Sequence, residues 1–409
     1  MNYFESLGRR VDQRWRAAHY SEAAFPRIAH EALNDEPAYK AIDSFDPIRW
    51  LLRDAIDLPK QVDLEGVFGQ PPLVMFATSR FIIQVLYWLE ATTSIHQHAF
   101  CGAFQVLGGS SLHSEFTYQL EERINSALSL GTLSHQSSEL LSVGSTRTIL
   151  PNHDFIHSLY HLDQPSVTVV VRTIHDDGSE PQYDYNRAGL AWDPSFKDPL
   201  TQRQVQALLT LGKLKHDEAT QLISGVLARS DLASAYALLI ALLQNELSSD
   251  RVAPFIEALE PRLGTRVALF KSAVREVGRR SRLIELRKEI TDPELRFFLA
   301  LLLNLRSQGP ILSIIAERYP SQSPKDLIIR WLSELSADPA MNRVGLGVEL
   351  DDAGLLVARC ALDGLSHEDV LKRFAEEYEP SEVEAQAQDL AEAMDAFRRS
   401  FLLDGLFRP

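Results

Sequence analysis

The chain has 409 residues, enough for roughly two or three domains, each burying its own core. Hydrophobic residues make up 45% and charged residues 24%, proportions that exclude disorder as the organising state. A net charge of -15 excludes a chain built mainly to hold nucleic acid, because phosphate binding needs clustered Lys and Arg.

Met1 to Arg10 lacks the apolar core and cleavage site of a signal peptide, and the apolar run 297–305 is too short to cross a bilayer. The two cysteines, Cys101 and Cys360, are too few and too far apart for a disulfide framework. A soluble, cytoplasmic protein is the expectation. From Asn2 to Leu33 the apolar residues Phe4, Leu7, Val11 and Trp15, then Ala23, Ile28 and Leu33, recur at helical spacing with an interruption at Pro26. Trp50, Leu51, Leu52 and Ile56 add a short helix that Asp57-Leu58-Pro59 ends. Residues 1–60 are therefore read as a helical arm, with His19 and His30 as surface or packing residues.

After Pro71-Pro72 the texture changes. Short segments rich in Val, Ile, Phe, Tyr and Thr follow one another: 73–78, 81–90, 93–100, 104–107, 112–118, 139–143, 147–150, 156–161 and 167–174, punctuated by Gly108-Gly109 and Gly144-Ser145. Many short strands with turn signals predict a sandwich or barrel over 61–195, ending after the loop Asp176-Asp177-Gly178-Ser179 and near Trp192-Asp193-Pro194. From Asp198 the period becomes helical, as in Val205, Leu208, Leu209 and Leu211, so 196–409 is read as an all-α domain, either a bundle or an irregular solenoid. Asp198-Pro199, Arg229-Ser230-Asp231, Ser248-Ser249-Asp250, Asp292-Pro293, Gly309-Pro310 and Ser321-Gln322-Ser323-Pro324 mark its breaks and caps. The last helix is expected to run unbroken from Pro380 to Arg399.

Within the strand region lies Ser94-Ile95-His96-Gln97-His98. Alternate side chains of a strand face the same way, so His96 and His98 present two imidazoles to one side of a sheet. His157 would complete a metal site. Eight of the twelve histidines (His96, His98, His113, His135, His153, His157, His161 and His175) crowd into this part of the chain, as a metal site would explain. His161 shares the strand face of His157, and an outer or surface role is expected for it and for His153. His113, His135 and His175 are read as solvent-facing. Three neutral imidazoles leave open positions on an ion and suit iron, zinc, copper or nickel about equally. Tyr87, Trp88, Phe100 and Phe104 are candidates for the walls of the site.

The run from Phe81 through Tyr87-Trp88-Leu89-Glu90 to Ser94-Ile95-His96-Gln97-His98 resembles the strand-turn-strand of cupin thiol dioxygenases of the cysteine dioxygenase type. The run Asp154-Phe155-Ile156-His157-Ser158-Leu159, followed by Pro165 to Arg172, resembles that family's third-histidine segment and its next strand. The resemblance covers roughly residues 75–175. It implies an antiparallel cupin β-barrel, and with the helical periodicity on either side the chain is read as an α+β multidomain fold, the barrel lying between the helical arm and a large all-α C-terminal domain. It also implies ferrous iron on His96, His98 and His157, while the ligand set by itself admits another divalent transition metal. The carboxylate ligand of ordinary cupins has no counterpart, its place falling at Gly102, Ala103 or Gln105, and Gln105 is a candidate for an amide contact at the site. Aligning Pro165 with the family's proline places Val170 where an outer histidine is expected and Arg172 where the catalytic tyrosine is expected. Cys101 also lies too close to His98 for the family's crosslinking cysteine.

Arg80 and Arg172 are the candidate anchors for a substrate carboxylate, because a guanidinium turned into an apolar barrel requires an anionic partner. The expectation is a mononuclear non-haem iron(II) oxygenase acting with O2 on an acidic substrate, whether a small molecule, an amino-acid derivative, or a peptide or carrier-bound group. Neither nucleic acid nor membrane is an expected partner. The helical half would cap the barrel mouth, shape a pocket for a larger substrate or mediate homodimerisation. The alternatives are a metal-dependent binding or sensor protein with a helical partner-binding domain, and a metal-dependent isomerase or lyase.

Overall fold

The computed structural model describes residues 2–62, 64, 69–89, 93–174, 180–196, 198–214, 217–244, 252, 255–257, 259–339, 348–400 and 402–408. Glu90 to Thr92 of the motif, His175, the loop 176–179 and the break at Ser248 to Asp250 lie outside them. The chain divides into two compact units, Met1–Val277 and Gly278–Pro409. Among the described residues no helix is long and apolar enough to cross a membrane.

The arm consists of α1 (Asn2–Ala17), α2 (Phe25–Asp35), α3 (Ala38–Ala41) and α4 (Asp46–Arg53). Phe4, Leu7, Val11 and Trp15 of α1 fall on one stripe and are buried, as the spacing predicts. Eleven strands follow: β1 (Pro72–Ala77), β2 (Phe81–Trp88), β3 (Ile95–His98), β4 (Gly102–Gly108), β5 (Ser111–Arg123), β6 (Leu128–Leu141), β7 (Thr146–Ile149), β8 (Asn152–His161), β9 (Ser166–Thr173), β10 (Asp184–Tyr185) and β11 (Leu190–Trp192). They make a five-stranded sheet in the order β1-β2-β9-β4-β7 and a closed barrel in the order β10-β11-β6-β5-β8-β3, antiparallel at every pairing. The fold class is α+β with a closed antiparallel barrel, as expected.

Strand alternation explains how this sheet serves two cores at once. Phe81, Ile83, Val85 and Tyr87 of β2, with Val167, Val169 and Val171 of β9, point to the helical arm and join Phe4, Leu7, Trp15 and Phe25. Leu86 and Trp88, with Phe104, Val106 and Val170, point the other way and join Ile149, Phe155 and Leu159. Both faces are therefore apolar, which is why these strands read as near-continuous hydrophobic runs.

β6 is much longer than the expected 139–143. Its half from Gly131 to Glu139 is polar and largely exposed, and its pairing with β5, rather than burial, makes it a strand. The compact unit also continues past the expected boundary at 195. Leu128, Leu130 and Leu190 share a core with Leu208, Ile223, Leu227, Leu239 and Phe270, which belong to α5 (Pro199–Lys213), α6 (Ala219–Arg229), α7 (Leu232–Gln244) and the later helix Val267–Glu289.

In the second unit the helix Pro293–Asn304 is buried from Leu295 to its end, and Phe297 and Phe298 pack on the fully buried Trp331. Asp292 and Ser323 cap their helices through backbone N–H groups, as Asp198 does in the first unit. Two expectations are corrected. Gly309-Pro310 lies in the first turn of the helix Gln308–Arg318, where the missing proline N–H is tolerated. The segment 380–399 forms two helices, Pro380–Ala385 and Ala387–Arg399, parted at Gln386.

Candidate metal centre

β3 lies between β8 and β10, and its register places His96 directly opposite His157. A register shift at Gln97 then brings His98 opposite Asn152. His96 and His98 share a face, while Gln97 points away, donating to the carbonyl of Pro181 and accepting from the Tyr185 hydroxyl. His96, His98 and His157 are 2%, 4% and 2% exposed, and each offers a nitrogen within 4.8 Å of the others. The ring centres stand 4.7–5.0 Å apart.

Burial lowers the pKa of all three. For His98 the fields of His96 and Arg172 add to burial, and for His157 those of His96, His98 and His113 do so. The rings are accordingly neutral, the form that ligates metal. His96 donates from Nδ1 to the carbonyl of Ser94 at 2.9 Å, which turns its Nε2 into the ligand atom. His98 Nε2 and His157 Nε2 face each other at 2.9 Å. Nitrogens so spaced are right for two ligands about 2.0–2.1 Å from a shared ion. The all-nitrogen donor set suits a first-row transition metal.

Lowered imidazole pKa values make stability depend on pH with a definite sign. An unfolded chain protonates its histidines near pH 6.5, whereas the buried rings resist, so below that pH the unfolded state binds more protons and stability falls. Each ring that stays neutral contributes a loss of about 1.4 kcal/mol by pH 5.5. The urea midpoint of the metal-free protein is expected to fall clearly between pH 7.5 and 5.5. An unchanged midpoint would contradict the neutral burial of the three rings.

The histidines open on a cavity of about 270 Å³ whose walls include Leu86, Trp88, Phe100, Phe104, Ile149, Leu159 and Val170. Of the expected wall residues, Tyr87 turns instead toward the arm and donates to the Ser44 carbonyl. The polar lining is Gln84, Thr93, Thr168 and Gln182 beside the three histidines, and Arg172 is the one charged side chain among the described residues there. Its guanidinium lies over the Phe100 ring at 4.6 Å, and its Nε donates to Gln84 Oε1 at 2.8 Å.

Two expected site residues are elsewhere. Arg80 sits in the turn between β1 and β2, exposed, with its guanidinium over the Tyr20 ring at 4.3 Å and away from the cavity lining. Gln105 is fully buried but lies on the opposite face of β4 from Phe104, so alternation turns it toward the arm. Its amide accepts from the N–H of Ala38 and donates to the Leu33 carbonyl and Thr146 Oγ1, tying arm to sheet.

His113, read as solvent-facing, is instead wholly buried on β5 and hydrogen-bonded to His157 at 3.1 Å. The crowding of histidines was the one signal in the sequence that pointed to it. Gln84, the partner of Arg172, carried none. His161 is buried, stacked on Trp88 and bonded to Ser111. His135 is exposed, and His153 pairs with Glu180 at the edge of the barrel.

No protein-family model and no curated protein sequence matches the chain. Solved structures give slight likenesses. A cupin-2 domain protein from Shewanella frigidimarina aligns over 25% of this chain and 79% of its own at 11% identity and a TM-score of 0.17. A hydroquinone 1,2-dioxygenase from Sphingomonas sp. TTNP3 aligns over 26% of this chain and 68% of its own at 11% identity, with a TM-score of 0.20. A recombinant oxalate oxidase aligns over 41% of this chain and 86% of its own at 15% identity, with a TM-score of 0.20. The barrel assignment therefore rests on the strand order and register given above.

Proposed function

We propose that this chain is a mononuclear metal-dependent oxygenase, with iron(II) held by His96, His98 and His157 and a small acid bound beside it. The observation that carries the reading is the convergence of three buried, neutral imidazoles on an apolar cavity lined, among the described residues, by one guanidinium. His96, His98 and His157 would hold the metal, which when bound would supply the activation of O2 for transfer of oxygen to the substrate. The protein's part is orientation and exclusion of water. Arg172 draws a carboxylate into the cavity by a charge-assisted contact, and its own direction is held by Gln84 and Phe100. Trp88, Phe100, Phe104 and Val170 press on the rest of the ligand. A volume of about 270 Å³ is small for a ligand site, which favours a compact acid over a folded peptide.

The test is to load the full chain anaerobically with Fe²⁺ and follow oxygen uptake against a panel of small aliphatic and aromatic carboxylic acids. Uptake that depends on one of these acids, with KM raised about 10-fold or more in Arg172→Leu from loss of a charged hydrogen bond, is the expected result. Iron-loaded protein that consumes no oxygen with any acid overturns the oxygenase reading. Saturable acid binding without uptake would then assign the site to a binding protein, and turnover without uptake to an isomerase or lyase.

A further inference from the structure

Behind His157 runs a chain of polar contacts that the three ligands alone do not require. His157 Nδ1 meets His113 Nε2 at 3.1 Å, and His113 Nδ1 meets Glu139 Oε1 at 3.0 Å. Arg147 closes the series, donating from Nε to Glu139 Oε1 at 2.7 Å and from Nη2 to the other carboxylate oxygen. The contacts join three adjacent strands of the barrel, since β5 pairs with β8 on one side and with β6 on the other. His113 has no exposed surface, and a buried ring making two directed contacts has few other orientations open to it.

The direction of these bonds follows from Glu139. The hydrogen bond from His113, and then those from Arg147, hold its pKa down to about 2, so it is a carboxylate that only accepts. Because that carboxylate can only accept, the hydrogen bond to it is donated by His113 Nδ1, and His113 Nε2 is placed to accept from His157 Nδ1–H. That leaves the lone pair of His157 on Nε2, the atom that faces His98.

We propose that His113 and Glu139 are positioning residues of the metal centre: through two hydrogen bonds they select the ligating tautomer of His157, lock its ring and raise its donor strength. The inference rests on the metal-centre reading above. A hydrogen-bonded carboxylate behind a ligating imidazole makes it a better donor, and here the effect is passed through an intervening ring. His113, Glu115 and Glu139 also form a second cluster of the kind that can hold a cation. Arg147 occupies both oxygens of Glu139, however, so the cluster serves the first site and does not make another.

The experiment titrates the full-length, metal-free chain anaerobically with Co²⁺, reading affinity and the visible ligand-field spectrum of wild type, His113→Phe, His113→Gln, Glu139→Gln and His96→Ala. His113→Phe keeps a ring but offers no acceptor, and is expected to weaken Co²⁺ binding roughly 10–100-fold and to shift the spectrum. His113→Gln places an amide oxygen near the lost Nε2 and should recover most of the affinity, a rescue that a purely space-filling role would not show. Histidine ¹⁵N resonances of the metal-free protein should place the His157 proton on Nδ1 in wild type and redistribute it in His113→Phe. If His113→Phe fails to fold, Glu139→Gln decides, because its partly exposed side chain keeps one carbonyl oxygen to accept from His113 and exchanges the charge and the other acceptor for an amide NH2.

Wild-type affinity and spectrum in His113→Phe or, failing that, in Glu139→Gln, with binding lost in His96→Ala, would overturn this inference and leave the centre standing. Equal Co²⁺ binding by wild type and His96→Ala, or none by either, overturns both.

Discussion

Replacing His96 with alanine is expected to abolish stable metal binding while leaving the strands and helices in place. Four-ligand zinc sites bind with about 10–16 kcal/mol, which divides to about 2.5–4 kcal/mol, or roughly 10²–10³ in affinity, for each ligand lost. That exceeds the roughly 10–100-fold expected from removing an outer partner such as His113. His96 is the cleaner choice because its Nδ1 donates to the local carbonyl of Ser94, whereas His157 stands in the series of contacts that runs to His113. His157→Ala should lose the metal to at least the same extent, but it also strands His113 Nε2 in a buried position, so its stability should fall further. Metal content after dialysis, read beside the far-ultraviolet circular dichroism spectrum, measures both effects. Full occupancy in both variants would place the metal elsewhere.

Gly102→Ala is expected to be the most damaging small substitution near the site, costing about 3 kcal/mol, the upper part of the usual range for overpacking. Gly102 opens β4 and pairs with Arg172 of β9 on one side and Ile149 of β7 on the other. A Cβ there would stand 2.0 Å from the carbonyl oxygen of Val171 and 2.8 Å from the Cα of Arg172. Both are backbone atoms that cannot rotate away, so β4 must lift from β9. The displaced residue is Arg172, and the acid-binding side of the cavity should therefore suffer with the fold. Urea unfolding gives the free energy, and acid binding at a temperature where the variant is still folded gives the second effect. A midpoint within about 0.5 kcal/mol of wild type, the usual span of neutral surface changes, would show that the two strands are not packed this closely.

The residues that could be read correctly without a structure are those whose behaviour is local. His96 and His98 share a face because a strand repeats every two residues, and Phe4, Leu7, Val11 and Trp15 share one because a helix repeats every 3.6. The caps Asp198, Asp292 and Ser323 depend on a side chain reaching backbone two or three residues on. The misplaced residues are those whose position depends on distant partners. Alternation sorted β4 into two faces, but only docking of α2 and α3 made the Gln105 face an arm contact while Phe104 kept the cavity. Arg80 lay close in sequence to the strand leading into the site, but the turn after β1 carries it to the outside.

Much the same holds for β6, β10 and β11. The polar stretch from Gly131 to Glu139 has weak strand character by itself and is held by β5, while the two-residue β10 exists because β3 and β11 lie beside it. His113 became an interior residue by the same route, since closure of the barrel sets β5 between β6 and β8 and so places one imidazole between Glu139 and His157. By itself the sequence determined the succession of helical arm, strands β1 to β9 and helical half, the caps Asp198, Asp292 and Ser323 and the shared face of His96 and His98, all set by backbone periods and short-range hydrogen bonds. Tertiary structure alone decided which arginine reaches the cavity, which face of β4 meets the arm and what stands behind His157, because those outcomes depend on pairing between segments far apart in the chain.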